Sequence, residues 1–192
     1  MTCIIGLVRD GHVYLGGDSA SNSGEHSITI VKNPKVFHKG EFVMGYTSSW
    51  RMGQLIQYQF VPPERAPQQD VMEYMVTNFI DVIRNLFKEG GWAKVESNQE
   101  QGGSFLVGYQ GRLFTIHGDY QVAESANIYA AIGGGASIAL GALFTLSRTQ
   151  DFAETTPEDI IRCALDASSY HNSAVSSPYT FVNTLEAKAG PL

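Results

Sequence analysis

Three residues near the start of the chain carry groups that could perform nucleophilic and acid–base chemistry if folding brought them together: Thr2, Asp18 and Lys35. With Met1 removed, Thr2 bears a hydroxyl and a free amine on adjacent atoms, which is a nucleophile with a built-in base. A threonine hydroxyl alone is a poor nucleophile at neutral pH. A free α-amine has a pKa of roughly 7.7–8.0, so about a tenth to a fifth of it is neutral near pH 7, and a nearby ammonium raises that fraction. Lys35 is the candidate ammonium. Asp18 is the candidate carboxylate that keeps it charged, because an enclosed lysine without a partner tends to lose its proton. Threonine at position 2 is small enough to permit ordinary removal of Met1, and no charged start with a following apolar segment marks a signal peptide.

The surrounding pattern can position these groups. Residues 2–9 are an apolar run, Asp10-Gly11 is a dipeptide favoured in tight hairpin turns, and residues 12–17 are a second apolar run. The expected β-hairpin returns Asp18 to the side of Thr2. A loop rich in Ser, Asn and Gly follows, and a short strand over 35–38 delivers Lys35 to the same end of the sheet. Lys39-Gly40 then turns the chain into a strand over 41–47, which carries Gly45 near its end; a glycine there lets backbone approach a ligand and point an amide at it.

Taken together, Thr2, Gly16-Gly17-Asp18-Ser19, Lys35-Val36 and Met44-Gly45 resemble the β-subunits of the 20S proteasome and the bacterial proteasome-like peptidase that works with an ATP-driven unfoldase, both N-terminal nucleophile hydrolases. The likeness covers nearly the whole chain and is most specific in its first fifty residues. It implies an α+β fold, a four-layer αββα sandwich of the N-terminal nucleophile hydrolase type, built as a single domain over residues 1–192. It also implies that Thr2 is the nucleophile of a threonine peptidase, that Asp18 and Lys35 are its supporting charges, and that the Gly45 amide contributes to the oxyanion hole. Peptide or unfolded protein as substrate, a homo-oligomeric ring enclosing the active sites, and an ATP-dependent unfoldase as candidate partner follow from the same likeness.

Two positions depart from that pattern. Gly134, within Gly133-Gly134-Gly135, stands where the family usually carries a serine. The family's later Asp and Ser have no clean match in residues 166–173: Asp166 falls inside a predicted helix, leaving a serine there or His171 as candidate replacements. The glycine run itself lacks the G-x-G-x-x-G order and the lysine of a phosphate loop, so close packing beside the active end of the sheet explains it better.

Composition narrows the remaining classes. Hydrophobic residues make up 43% and aromatic residues 11%, which suits a folded domain rather than a disordered tail. A net charge of −6 without any run of Lys or Arg disfavours nucleic acid as the main partner. No apolar run reaches the roughly 20 residues of a membrane helix. Cys3 and Cys163 form no C-x-x-C pair and read as buried thiols in a reducing, cytoplasmic setting. No cofactor or metal is expected.

Further along, Thr47-Ser48-Ser49 is a candidate cap for a helix through Trp50, Met52, Leu55, Ile56 and Tyr58, Asp70 is a candidate cap for the next, and Met72, Met75, Phe79, Ile83 and Leu86 recur at helical spacing up to Gly90-Gly91. Residues 92–103 read as a polar loop, 104–117 as a hairpin turning at Gln110-Gly111, and 128–132 as a strand. Helices over 137–147 and from Thr156-Pro157 onward precede a closing strand over 179–185. Val43, beside the expected specificity pocket, points to an apolar residue before the cleaved bond. Two other functions use the same residues: hydrolysis of a small amide, against which the lack of extra substrate-binding length counts, and a non-catalytic assembly subunit that retains Met1.

Overall fold

The computed structural model describes residues 2–22, 28–96 and 99–186. The predicted first hairpin pairs β1 (Ile4–Arg9) with β2 (His12–Gly17) from Ile4 opposite Gly17 to Arg9 opposite His12. Asp10 (φ 51°) and Gly11 (φ 74°) both take the left-handed conformation that a two-residue hairpin turn demands. Strand β12 (Tyr129–Ile132) pairs with the free side of β1, and β13 (Thr180–Asn183) with that of β2. The first sheet therefore has the order β12-β1-β2-β13, with the hairpin in its interior.

The second sheet is built from two further hairpins, β5 (Val36–Lys39) with β6 (Phe42–Tyr46) and β9 (Phe105–Tyr109) with β10 (Arg112–Ile116), plus β11 (Val122–Glu124) at one edge. Its order is β11-β10-β9-β6-β5. Two small ribbons lie outside both sheets: β3 (Ala20–Asn22) with β4 (Ile28–Ile30), and β7 (Lys94–Glu96) with β8 (Gln99–Gln101). The second of these corrects the reading of 92–103 as a loop. Three-residue strands offer too few alternations to show a period of two.

Three helices begin at predicted caps. The Ser49 hydroxyl accepts from the amides of Arg51 and Met52 at the start of α1 (Trp50–Gln54), which continues as a π-helical turn over Leu55–Gln59. Asp70 caps α2 (Val71–Tyr74), which runs through a second π-helical turn, Met75–Phe79, into α3 (Ile80–Glu89). Helix α4 (Ala136–Leu146) follows the triple glycine. Thr156 caps α5 (Pro157–His171), with Pro157 in the first turn.

Buried apolar side chains fall into three groups. Cys3, Ile5 and Leu7 pack one face of the first sheet against Leu143 of α4 and Ile160, Ile161 and Leu165 of α5. Ile4, Val13 and Leu15 on its other face meet Val36, Val43, Leu106 and Leu113 of the second sheet. The far face of the second sheet meets the helices α1–α3 in an aromatic cluster that includes Phe42, Tyr74, Phe79 and Phe105. The two sheets come close at Gly108, where a Cβ would lie 2.6 Å from a methyl carbon of Val13 in the facing sheet and 2.6 Å from one of Val43 in its own. Cys3 is buried as expected, whereas Cys163 lies on the exposed side of α5, and both are free thiols. No helix among the described residues is long and apolar enough to cross a membrane.

Phe79 is fully buried, with its ring edge-on to Phe60 at 5.2 Å and tilted against Phe42 at 5.5 Å. Phe79→Ala removes a ring that no neighbour can replace, so denaturant unfolding should show a loss of about 3–5 kcal/mol.

Candidate active site

Because Ile4 stands opposite Gly17, the hairpin sets Asp18 beside Cys3. The Cys3 N–H donates to Asp18 Oδ1 (3.0 Å) and the Asp18 N–H donates to the Cys3 carbonyl (3.3 Å). Asp18 Oδ2 accepts the Ala20 N–H at 3.0 Å. Lys35, just before β5, extends its ammonium into the same spot, donating to Asp18 Oδ1 at 2.9 Å and to the Ala20 carbonyl at 2.6 Å. Asp18 and Lys35 are each only 2% exposed. Burial draws the Lys35 pKa below the ordinary 10.5, and the adjacent Asp18 charge opposes that fall.

Thr2 lies next to this pair, 7% exposed, in the wall of a cavity of about 600 Å³ that Lys35 also lines. Its carbonyl accepts the Gly135 N–H at 3.3 Å. Gly133, at φ 98°, packs so tightly on Thr2 that a Cβ would strike the Thr2 carbonyl oxygen. The triple glycine thus packs beside the nucleophile candidate. Met1, on whose removal the free amine depends, lies outside the described residues.

Gly45 occupies a ladder position in β6 between Val36 and Leu106. Its bare Cα lets the sheets close beneath Thr2, since a Cβ would sit 2.6 Å from Ile4 Cγ2 and 2.9 Å from Val36 Cγ1. The segment of this strand's exit that borders the cavity comes a few residues later, at Thr47, Ser48 and Ser49. Ser48 has φ 76°, and its Oγ accepts the Ser104 N–H at 3.2 Å. Its own N–H has no acceptor among the described residues.

Val43 is a correction: it is fully buried between the two sheets and does not reach the cavity. The apolar wall is made instead by Trp50 and Tyr46, whose rings meet edge-on at 5.8 Å. Trp50 donates its indole N–H to Ser21 Oγ (3.2 Å), and Lys35 Nζ lies 5.7 Å from the ring centre. Sequence spacing marked Trp50 only as part of a helix face.

The stretch 166–173 takes definite positions around the glycine turn. Asp166 lies within α5 and is exposed, and His171 is exposed at the helix end with its ring against Tyr170. The residues of this stretch that do reach the glycine turn are Ser168, whose Oγ donates to the Gly135 carbonyl (3.0 Å), and Asn172, whose side-chain amide donates to the Gly134 carbonyl (2.8 Å). Cys3 Sγ is 3.7 Å from Ser168 Oγ, and burial pushes its thiol up to about 11. That keeps Cys3 protonated and unreactive beside Thr2. Among the described residues no group of three or more metal-ligating side chains comes together.

No protein-family model matches the chain. A curated relative, the ATP-dependent protease subunit HslV of Desulfovibrio desulfuricans, is 25% identical over 178 residues, spanning 91% of this chain and 95% of that protein. Among solved structures, Thiobacillus denitrificans BPH in complex with epoxomicin superposes with a TM-score of 0.77 at 18% identity, over 99% of this chain and 100% of that one. Eukaryotic HslV from Trypanosoma brucei gives 0.65 at 18% identity, over 95% and 98%. At such identities the two structures speak to the fold, while the sequence relationship to HslV extends nearly end to end. The chain thus shares the fold of these proteasome-like proteins and is similar in sequence to an HslV subunit, and it seats Thr2 beside the Asp18–Lys35 pair.

Proposed function

We propose that the chain is a proteasome-like threonine peptidase, hydrolysing peptide bonds with Thr2 once Met1 has been removed. The observation that carries this reading is the buried Asp18–Lys35 pair placed beside Thr2 at the wall of the cavity. In the proposed cycle the Thr2 amine takes the proton from Oγ as Oγ attacks the substrate carbonyl carbon, then gives it to the departing amine. Water, deprotonated by the same amine, attacks the ester and releases the second product with Thr2 restored. The Lys35 ammonium favours the neutral amine and the developing alkoxide, and Asp18 holds Lys35 in place and charged.

For the oxyanion, the resemblance assigns the Gly45 amide, and the Ser48 N–H, without an acceptor among the described residues on a cavity-lining segment, is a second candidate donor. Thr47 is the candidate for the hydroxyl missing at Gly134, supported by its Oγ1 lying beside the neighbouring glycine, 3.3 Å from where a Gly133 Cβ would be. The four-layer αββα stacking belongs to the same reading and is supported by the three apolar groups. So does a single domain over 1–192, supported by the pairing of β1 and β2 with β12 and β13. A homo-oligomeric ring, an ATP-dependent unfoldase partner and a cytoplasmic setting carry over from the resemblance, and the HslV relative is itself named an ATP-dependent protease subunit.

Intact mass of protein made without an N-terminal tag, before and after an epoxyketone, tests this directly. Loss of one methionine with one adduct on Thr2 is expected, and Thr2→Ala should abolish the adduct and cut peptide hydrolysis more than about 10³-fold. Retained Met1 with no adduct in any assembly state would instead favour a non-catalytic subunit.

The rate should also fall on the alkaline side as Lys35 loses its proton, at a pH below the ordinary 10.5 because burial lowers its pKa. Asp18 opposes that lowering, so Asp18→Asn must shift this limb to still lower pH as well as slow the reaction at least about tenfold. A pH–rate profile of epoxyketone labelling reads both, and an unmoved limb would remove Lys35 from the proposed role.

A further inference from the structure

The peptide bond joining Thr2 to Cys3 is gripped at both edges. Its N–H, on Cys3, donates to Asp18 Oδ1, and its carbonyl, on Thr2, accepts from Gly135. A trans peptide is planar, so holding both edges fixes the orientation of the Thr2 Cα and of the amine and hydroxyl arm it carries. The Asp18 grip is itself anchored by Lys35. The Gly135 grip is made by a run of three glycines, the most conformationally free backbone there is, and it needs an anchor of its own.

Two side chains from the end of α5 approach that run. Ser168 Oγ has one proton and faces two carbonyls, Gly135 and Ala164, each at 3.0 Å. Its hold on the turn is therefore divided. Asn172 is undivided: Oδ1 accepts the Ala174 N–H (3.0 Å), which settles the amide orientation and commits Nδ2 to the Gly134 carbonyl at 2.8 Å. The residue ends α5 in an extended conformation (φ −136°, ψ 108°), and its own carbonyl accepts the Val175 N–H, so its backbone is held as well.

The Gly134 carbonyl and the Gly135 N–H belong to one peptide unit. Asn172 Nδ2, that peptide unit and the Thr2 carbonyl thus form a single hydrogen-bonded chain, in which donation at one end orients and strengthens donation at the other. We propose that Asn172 is a positioning residue for Thr2, acting through the Gly134–Gly135 peptide. The proposal rests on the peptidase reading for its catalytic consequence but not for its geometry. It accounts for how a turn with glycine at 134 can still present Thr2 in a fixed pose.

Asn172→Ala and Asn172→Asp test it against the wild-type assembly, with peptide turnover, epoxyketone labelling, thermal unfolding and hydrogen exchange of the Gly135 amide. For Asn172→Ala, kcat should drop about 10–100-fold with KM within about threefold, unchanged assembly size and faster Gly135 exchange. Asn172→Asp offers an ionised acceptor to the Gly134 carbonyl at neutral pH but a donor once protonated, near or above the ordinary aspartate pKa of about 3.9. Its labelling rate relative to wild type should therefore recover as pH falls toward that value, while the ratio for Asn172→Ala stays flat. Unchanged kcat and unchanged Gly135 exchange in Asn172→Ala would overturn the proposal, as would an Asn172→Asp ratio that does not vary with pH. If Asn172→Ala fails to assemble, the Asn172→Asp ratio decides. Wild-type protein inert to both substrate and epoxyketone would sink the peptidase reading, and Gly135 exchange in the variants would still decide whether Asn172 holds the turn.

Discussion

The Asp18–Lys35 ion pair sets conditions that the rest of the structure has to meet. Two opposite charges 2.9 Å apart and almost wholly out of water attract strongly, yet taking each from solvent costs several kcal/mol even after relaxation. Such a pair survives only where further polar groups complete its coordination. Here those groups arrive from separate elements: the Cys3 amide ahead of β1, the Ala20 amide and carbonyl in β3, and Lys35 itself ahead of β5. The pair therefore pins the end of the first sheet to the start of the second, and the cavity opens at that junction. Removing one partner would leave the other as an uncompensated buried charge, so the position and the charge of each depend on the other.

Among the described residues Lys35 is the one charged side chain lining the cavity. The wall otherwise presents the hydroxyls of Thr2, Ser21, Thr47, Ser48, Ser49 and Ser104, glycine backbone, and the rings of Tyr46 and Trp50. Although the chain carries a net charge of −6, no acidic side chain among the described residues lines this cavity. Such a wall suits backbone recognition more than selection of a charged side chain, because hydroxyls and free amides match peptide groups of any sequence.

Local chemistry was readable from the sequence where it is set by neighbours in the chain. Asp10-Gly11 and Gln110-Gly111 dictate their turns, Ser49, Asp70 and Thr156 announce their helices, and the order of Thr2, Asp18 and Lys35 along a hairpin and a following strand predicts their meeting. What escaped depends on the second sheet and on α5. All five residues of β6 are buried because both faces of its sheet are covered, so no alternation distinguishes Val43 in the sheet interface from residues on the other face. The left-handed Ser48, the indole of Trp50 over Lys35 and the reach of Asn172 to Gly134 are products of packing between segments far apart in sequence. Cys163, expected to be buried, is exposed because the buried stripe of α5 runs through Ile160, Ile161, Ala164, Leu165 and Ser168 and leaves it outside.

The interior place of β1 in its sheet has a consequence for how activity is lost. Terminal segments ordinarily fray, opening and closing locally at little cost while the body of a protein stays folded. Thr2, terminal in the proposed mature chain, leads directly into a strand flanked by β2 on one side and β12 on the other, with apolar cover on both faces. Releasing it by peeling the strand away would break both ladders and open two of the three apolar groups. Thr2 is thereby tied to an interior strand packed on both faces, and heating should release it only as the molecule melts.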